Sequence, residues 1–214
     1  MKITDYANPF DAVSDFEDAL TAYTGARFAI TTDSCTHAIE LCFRYKQIMG
    51  TLSYISIPNK TYLSVPMVFT KLGLQYYFHD DQWKGEYQFG NTNVWDSARL
   101  LEEGMYRKGQ MQCLSFGRTK PIEIGRGGAI LLDDYAAYET IKRMSYDGRD
   151  LRYKPWAKQQ DFLLGFHYMM RPEEAVEGHN KLFKRDFVDQ DNAFFYNYPD
   201  LSRLNSGTKK ITII

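Results

Sequence analysis

Residues 26 to 48, ARFAITTDSCTHAIELCFRYKQI, change their hydrophobic period halfway along. The first part, ARFAITT, is short, β-branched and aromatic, which suits a strand. The second, DSCTHAIELCFRYKQI, places Ala38, Ile39, Cys42, Phe43 and Tyr45 along one side of a helix. A strand therefore enters a helix across the small polar turn TDSCT. Just upstream, AVSDFEDALTAYTG (12 to 25) sets Phe16, Leu20 and Tyr23 on a helical spacing and stops at a glycine.

The unit recurs downstream. SYISIP reads as a strand, TYLSVPMVFTKLG as a helix with a glycine stop, and LQYYFHD as the next strand. Such alternation predicts an α/β fold with a mostly parallel sheet. TNVWDS, MQCLSF and GGAILLDD are three further apolar runs, too closely spaced for every connection to be a helix, so the sheet is expected to be mixed. DDYAAYETIKRMSYDG has the pattern of a helix with Lys142 and Arg143 toward its end, where the helix dipole favours cations. After Gly148 the pattern weakens into a loop-rich stretch, then EEAVEGHNKLFKRDF reads as a helix and the tail is rich in aromatic and turn residues. Two regions follow: residues 1–150 as the main domain and 151–214 as a reduced C-terminal segment packing on it or on a partner.

Composition narrows the function. In 214 residues, 44% are apolar and 15% aromatic, and the formal net charge is −1. That balance suits one large core and argues against a nucleic-acid-binding domain or a disordered tail. Three cysteines at wide spacing form no zinc motif and suit a reducing compartment. No apolar run approaches the roughly 18 residues of a membrane span, and the first residues carry acids in place of a signal h-region. The expectation is a soluble, cytoplasmic protein with no metal, nucleic-acid or membrane partner.

Three features carry chemistry. The turn TDSCTH (32 to 37) opens a helix, where free N–H groups can hold an anion and Ser34 and Thr36 add hydroxyls. Plain N-capping is the commoner use of these residues. VWDS puts Asp96 at the C-terminal end of an apolar strand, where ligands of open α/β sheets bind, although a turn or cap residue would look the same. In SFGRTKPIEIGRGGAIL, Lys120 follows a strand end closely, and a desolvated lysine there becomes a nucleophile, whereas an isolated one is a solvated charge. Together an anion seat, a strand-end acid and a strand-end lysine suit an aldehyde cofactor bearing a phosphate and a pyridine nitrogen, as pyridoxal phosphate does.

The order and wording of these segments resemble the sugar aminotransferases of the DegT/DnrJ/EryC1/StrS family. The segments are FEDALTAYTGARFAITTDSCTHAIEL, IPNKTYLSVPMVFTKLG, VWDSARLLEEG, SFGRTKPIEIGRGGAILLDD and, more weakly, GFHYMMRPEEAVEGHNKL. The resemblance implies a three-layer type I pyridoxal-phosphate transferase large domain with the C-terminal small domain largely missing. It implies Lys120 as the Schiff-base lysine and proton carrier, and Asp96 as partner of the pyridine nitrogen. Tyr62 would lie on the ring face, and Cys35, Thr36, His37 and Ser115 around the phosphate. Arg99 stands where the family commonly has glutamine or histidine near the phenolic oxygen. His167 and Met169 replace the asparagine and arginine usual in the segment that reaches a partner subunit.

The resemblance implies transfer of an amino group from an amino acid donor such as glutamate to a nucleotide-linked keto sugar, by a homodimer. The alternative is a cofactor-binding protein with lost or altered turnover that serves as a regulatory or assembly partner. A nucleotide-binding α/β domain is a third reading, against which TDSCTH lacks both the GxGxxG and the GxxxxGK[ST] spacing.

Overall fold

Gly25 takes φ = 80° and donates its N–H to the Thr21 carbonyl, closing helix α1 (Asp11–Thr24) where the sequence places its stop. The computed structural model describes residues 1–152, 155–188 and 198–202. Strand β1 (Phe28–Thr32) leads through the 33–34 turn into helix α2 (Cys35–Ile48), where the Ser34 side chain caps by accepting the His37 N–H. Next come β2 (Ser56–Pro58), α3 (Ser64–Lys71) and β3 (Tyr77–His79). The hairpin β4 (Tyr87–Gln88) and β5 (Val94–Asp96) follows, then β6 (Met111–Ser115), β7 (Gly128–Leu132), α4 (Tyr135–Ser145) and α5 (Pro172–Lys184). Strand β4 and the 3-10 turns Ile3–Asp5 and Trp156–Lys158 have no counterpart in the sequence reading.

The main sheet has the order β1-β7-β6-β5-β4, and β2 pairs with β3 in a separate two-stranded sheet. The sheet is mixed, as expected, but not mostly parallel. Within it only β5 and β6 are parallel; the β1–β7, β6–β7 and β4–β5 ladders are antiparallel. The physical reason is the connections. Residues 116–127 run from β6 to β7 without a helix, so β7 turns straight back and enters between β6 and β1.

Both faces of this sheet are covered. Ile30, Cys113, Ile130 and Leu132 face α2, α3 and α4 in one core, whereas Ala29, Leu114, Ala129 and Leu131 face α1 and α5 in a second. Alternating residues of β1, β6 and β7 serve opposite cores, which gives three layers. Helix α5 lies so close to α1 that a Cβ at Gly178 would meet the Phe16 ring at 2.5 Å. Among the described residues, no helix is long and apolar enough to cross a membrane. The aromatic tail of the sequence reading lies outside the described residues except for 188 and 198–202.

Candidate active site

Strands β1, β5 and β6 run in one direction, so their C-terminal ends meet at one edge of the sheet. Open α/β sheets bind ligands there. A cavity of about 520 Å³ opens at this edge. Cys35, Thr36 and Tyr62 line it from the α2 and α3 side, Asp96 and Arg99 from the end of β5, and Ser115 and Lys120 from the end of β6. Seven of the eight candidate residues thus converge.

His37 does not line this cavity. Its Nδ1 lies 2.6 Å from Asp33 Oδ1, and its ring stacks on Tyr168 at 3.6 Å between centroids. Its backbone N–H goes to Ser34 Oγ at 3.2 Å. The side chain instead helps to clamp the turn, because Arg126 donates both to the Asp33 carboxylate at 2.7 Å and to the Asp33 carbonyl at 3.0 Å. Burial pushes the Asp33 carboxyl up, but hydrogen bonds and charges from His37 and Arg126 outweigh it and hold the carboxyl below its ordinary range. The clamp fixes the start of α2 against the start of β7. A Cβ at Gly128 would stand 2.4 Å from the Cys35 nitrogen, so only glycine lets the strand approach the helix terminus.

Asp96 is 6% exposed. Its Oδ2 accepts from the Tyr87 hydroxyl at 2.8 Å and its Oδ1 from the Ala98 N–H at 3.0 Å. With its proton given to Asp96, Tyr87 accepts from Thr61 Oγ1 at 2.6 Å. Burial pushes the Asp96 carboxyl above its ordinary value; the Tyr87 hydrogen bond and the charges of Lys120 and Arg99 only moderate the rise. The neighbouring Cys35 thiol is pushed up too, by burial first and then by Asp96, with Lys120 opposing.

Lys120 sits half-buried in the loop between β6 and β7 and makes no hydrogen bond or ion pair among the described residues. Thr119, just before it, is held at φ = 61°, a left-handed conformation unusual for a β-branched residue. The loop stays closed through the Thr119 N–H on Glu123 Oε2 at 2.7 Å and the Ile124 N–H on the Phe116 carbonyl at 3.0 Å. Backbone strain held in place by surrounding bonds is characteristic of functional loops.

An aromatic wall completes the cavity, and two of its members were not singled out from the sequence. Tyr198 stacks on Trp83 at 6.0 Å and meets Tyr62 edge-on at 6.4 Å. Its hydroxyl accepts from Arg99 Nε at 3.1 Å. Trp83 is tied to the Lys60 carbonyl at 2.9 Å. Trp83 carries a weak signal, a large aromatic just past a strand; Tyr198 carries none, since nothing local brings it back. Arg126 and Tyr87 were missed for the same reason. His167 is exposed beside Asp147 at 3.2 Å and stays out of the cavity.

The cations Arg99, Arg118, Lys120 and Arg126 line the cavity against the single carboxylate of Asp96. The site therefore attracts anions. The α2 N-terminus with the Thr36 and Ser115 hydroxyls offers a seat for one of them.

Solved structures share this fold. AtS13 from Actinomadura melliaura superposes with a TM-score of 0.70 at 16% identity, over 82% of this chain and 60% of that one. The sugar aminotransferase CalS13 from Micromonospora echinospora gives 0.69 at 12% identity, over 82% and 61%. PseC of Helicobacter pylori, an aminotransferase involved in the biosynthesis of pseudoaminic acid, gives 0.63 at 16% identity, over 82% and 58%. The chain thus spans about three-fifths of the length of these structures. No curated protein matches the sequence. A sequence model of the DegT/DnrJ/EryC1/StrS aminotransferase family matches residues 4–84 and 102–198, leaving out the stretch with Asp96 and Arg99. On that match, which takes in most of the chain, the protein belongs to the DegT/DnrJ/EryC1/StrS aminotransferase family.

Proposed function

We propose that this chain holds pyridoxal phosphate on Lys120 and transfers an amino group from an amino acid donor to a keto sugar. One observation carries the reading: a buried carboxylate, costly to ionise, shares a cavity beside a helix N-terminus with a lysine that has no hydrogen bond or ion pair among the described residues. Among the described residues Asp96 has no direct cationic partner, and a protonated pyridine nitrogen would supply one. The α2 N-terminus, Thr36 and Ser115 suit the phosphate, and Tyr62 suits a ring face. The residues present therefore fit the cofactor.

When bound, pyridoxal phosphate supplies an electron sink. Asp96 would hold the ring nitrogen in its protonated form, and the Tyr87 and Thr61 hydroxyls keep Asp96 in place. Lys120 would hold the cofactor's aldehyde carbon through its amine and, as a free amine, would move the proton. Glutamate is the donor we favour, and a nucleotide-linked keto sugar the acceptor, working in a homodimer in the cytoplasm, with residues 1–150 as the cofactor domain.

The experiment is reconstitution with pyridoxal phosphate, read as visible absorption. The band should appear in the wild type and vanish in Lys120→Ala; a wild-type protein without a band would refute the reading. Adding glutamate should then bleach the band to the aminated cofactor's spectrum. A band that glutamate leaves unchanged would make the chain a cofactor binder without turnover.

A further inference from the structure

Arg99 reaches the cavity with most of its binding capacity unspent. Its only side-chain hydrogen bond is from Nε to the neutral phenol of Tyr198, and its terminal NH1 and NH2 groups have no partner among the described residues. Arg126, which also lines the cavity, is committed to Asp33 at 2.7 Å. Both oxygens of Asp96 are engaged by Tyr87 and Ala98. The Arg99 main chain is pinned by its N–H on the Gly85 carbonyl at 3.1 Å, so the guanidinium is held at the cavity by its backbone as well. A guanidinium fork matches a carboxylate with two parallel hydrogen bonds, and such charge-assisted pairs outweigh a single bond to a phenol.

Tyr198 occupies that place through a short arm of chain. The Leu201 N–H reaches the Asn59 carbonyl at 2.7 Å, and Leu201 is buried, which sets the Tyr198 ring between Arg99 and Trp83. The Arg99 guanidinium carbon lies 5.4 Å from the centre of this ring. We propose that Arg99 recognises the carboxylate of a small organic acid substrate and that the Tyr198 hydroxyl is the stand-in this carboxylate displaces. That the acid is the amino donor rests on the aminotransferase reading; the carboxylate site itself does not.

Glutarate tests it, because it has two carboxylates and no amine and so cannot react. Calorimetric titration of the cofactor-loaded protein should give an affinity that Arg99→Gln lowers by about tenfold or more, as for a lost hydrogen bond to a charged group. Arg99→Lys, which keeps the charge without the fork, should fall between the two. Tyr198→Phe should bind glutarate several-fold more tightly, since the competing hydroxyl is gone; a merely structural tyrosine would not give that gain. Wild-type affinity in Arg99→Gln overturns the assignment of Arg99, and unchanged or weaker binding in Tyr198→Phe overturns the role of Tyr198. The visible band of each variant shows whether the cofactor is in place. Should the wild type take up no cofactor, the aminotransferase reading fails, and the same titration on cofactor-free protein still decides the role of Arg99.

Discussion

The Tyr87 hydroxyl lies 2.8 Å from Asp96 Oδ2, so the strand-end carboxylate is oriented by a residue of the neighbouring hairpin strand. Removing that hydroxyl leaves a buried carboxylate oxygen and Thr61 Oγ1 without their partner. Tyr87→Phe should therefore cost about 1–3 kcal/mol of stability, the usual range for an orphaned buried polar group. Cofactor affinity should drop as well, measured by absorbance titration; an unchanged dissociation constant would refute the orienting role.

Asp96 itself should show the opposite sign in the absence of cofactor. Its folded pKa is raised, chiefly by burial, so its ionised form destabilises the fold above that pKa, and the cost is gone below the unfolded value of about 3.9. Asp96→Asn should stabilise the cofactor-free protein at neutral pH, with the gain shrinking to nothing below about pH 4. Thermal unfolding from pH 4 to 7.5 checks this. The same variant should lose the visible band or hold the cofactor poorly.

Glu40 supplies the contrasting case. It is 1% exposed and accepts from Arg44 Nε and Lys71 Nζ, each at 2.8 Å, with the Tyr168 hydroxyl at 3.2 Å. Burial pushes its carboxyl up, yet the bonds and charges of Lys71 and Arg44 outweigh it, so the folded pKa is lowered. A lowered acid contributes stability above its unfolded pKa, near 4.3, that disappears as pH falls through the folded value. Glu40→Gln should cost about 2–3 kcal/mol at pH 7, in line with lost charged hydrogen bonds, and the difference from wild type should close at strongly acid pH. Urea denaturation at pH 7 and pH 3 reads both.

Gly128→Ala should separate β7 from α2. Its Cβ would lie 2.4 Å from the Cys35 nitrogen and 2.7 Å from the Cys35 Cα, and both are backbone atoms that cannot swing aside. Overpacking of this kind costs about 1–3 kcal/mol, and because the displaced atoms belong to the anion seat, phosphate binding should weaken along with Tm. Wild-type phosphate affinity in this variant would argue that the seat lies elsewhere.

What could be read from the sequence was local. The glycine after α1, the capping Ser34 and the apolar spacing of α2 and α4 act within a few residues of themselves, and each element stands where the pattern puts it. The positions of Asp96 and Lys120 at or near strand ends were legible because strand ends can be read from short apolar runs. The course of β7, the contact of Tyr87 with Asp96 and the return of Tyr198 all depend on partners far along the chain, for which no local period exists. The orientation of His37 turned on Asp33 and Tyr168 beside it, since a position in the first turn of a helix leaves open which way a ring points.

Among the described residues strand β1 has one neighbour in the sheet, and that neighbour is β7. Thr32 pairs with Gly128, so the first wall of the cavity waits for 128 − 32 = 96 further residues before it can dock. At ribosomal speeds of about 5–20 residues per second the delay is roughly 5–20 s. Through that interval Ala29 and Ile30, both buried in the finished protein, have no sheet to join, and the nascent chain is open to chaperones or to aggregation. The α2 terminus that we propose as the phosphate seat packs against Gly128, so on that reading cofactor capture follows the passage of the nascent chain beyond Leu132.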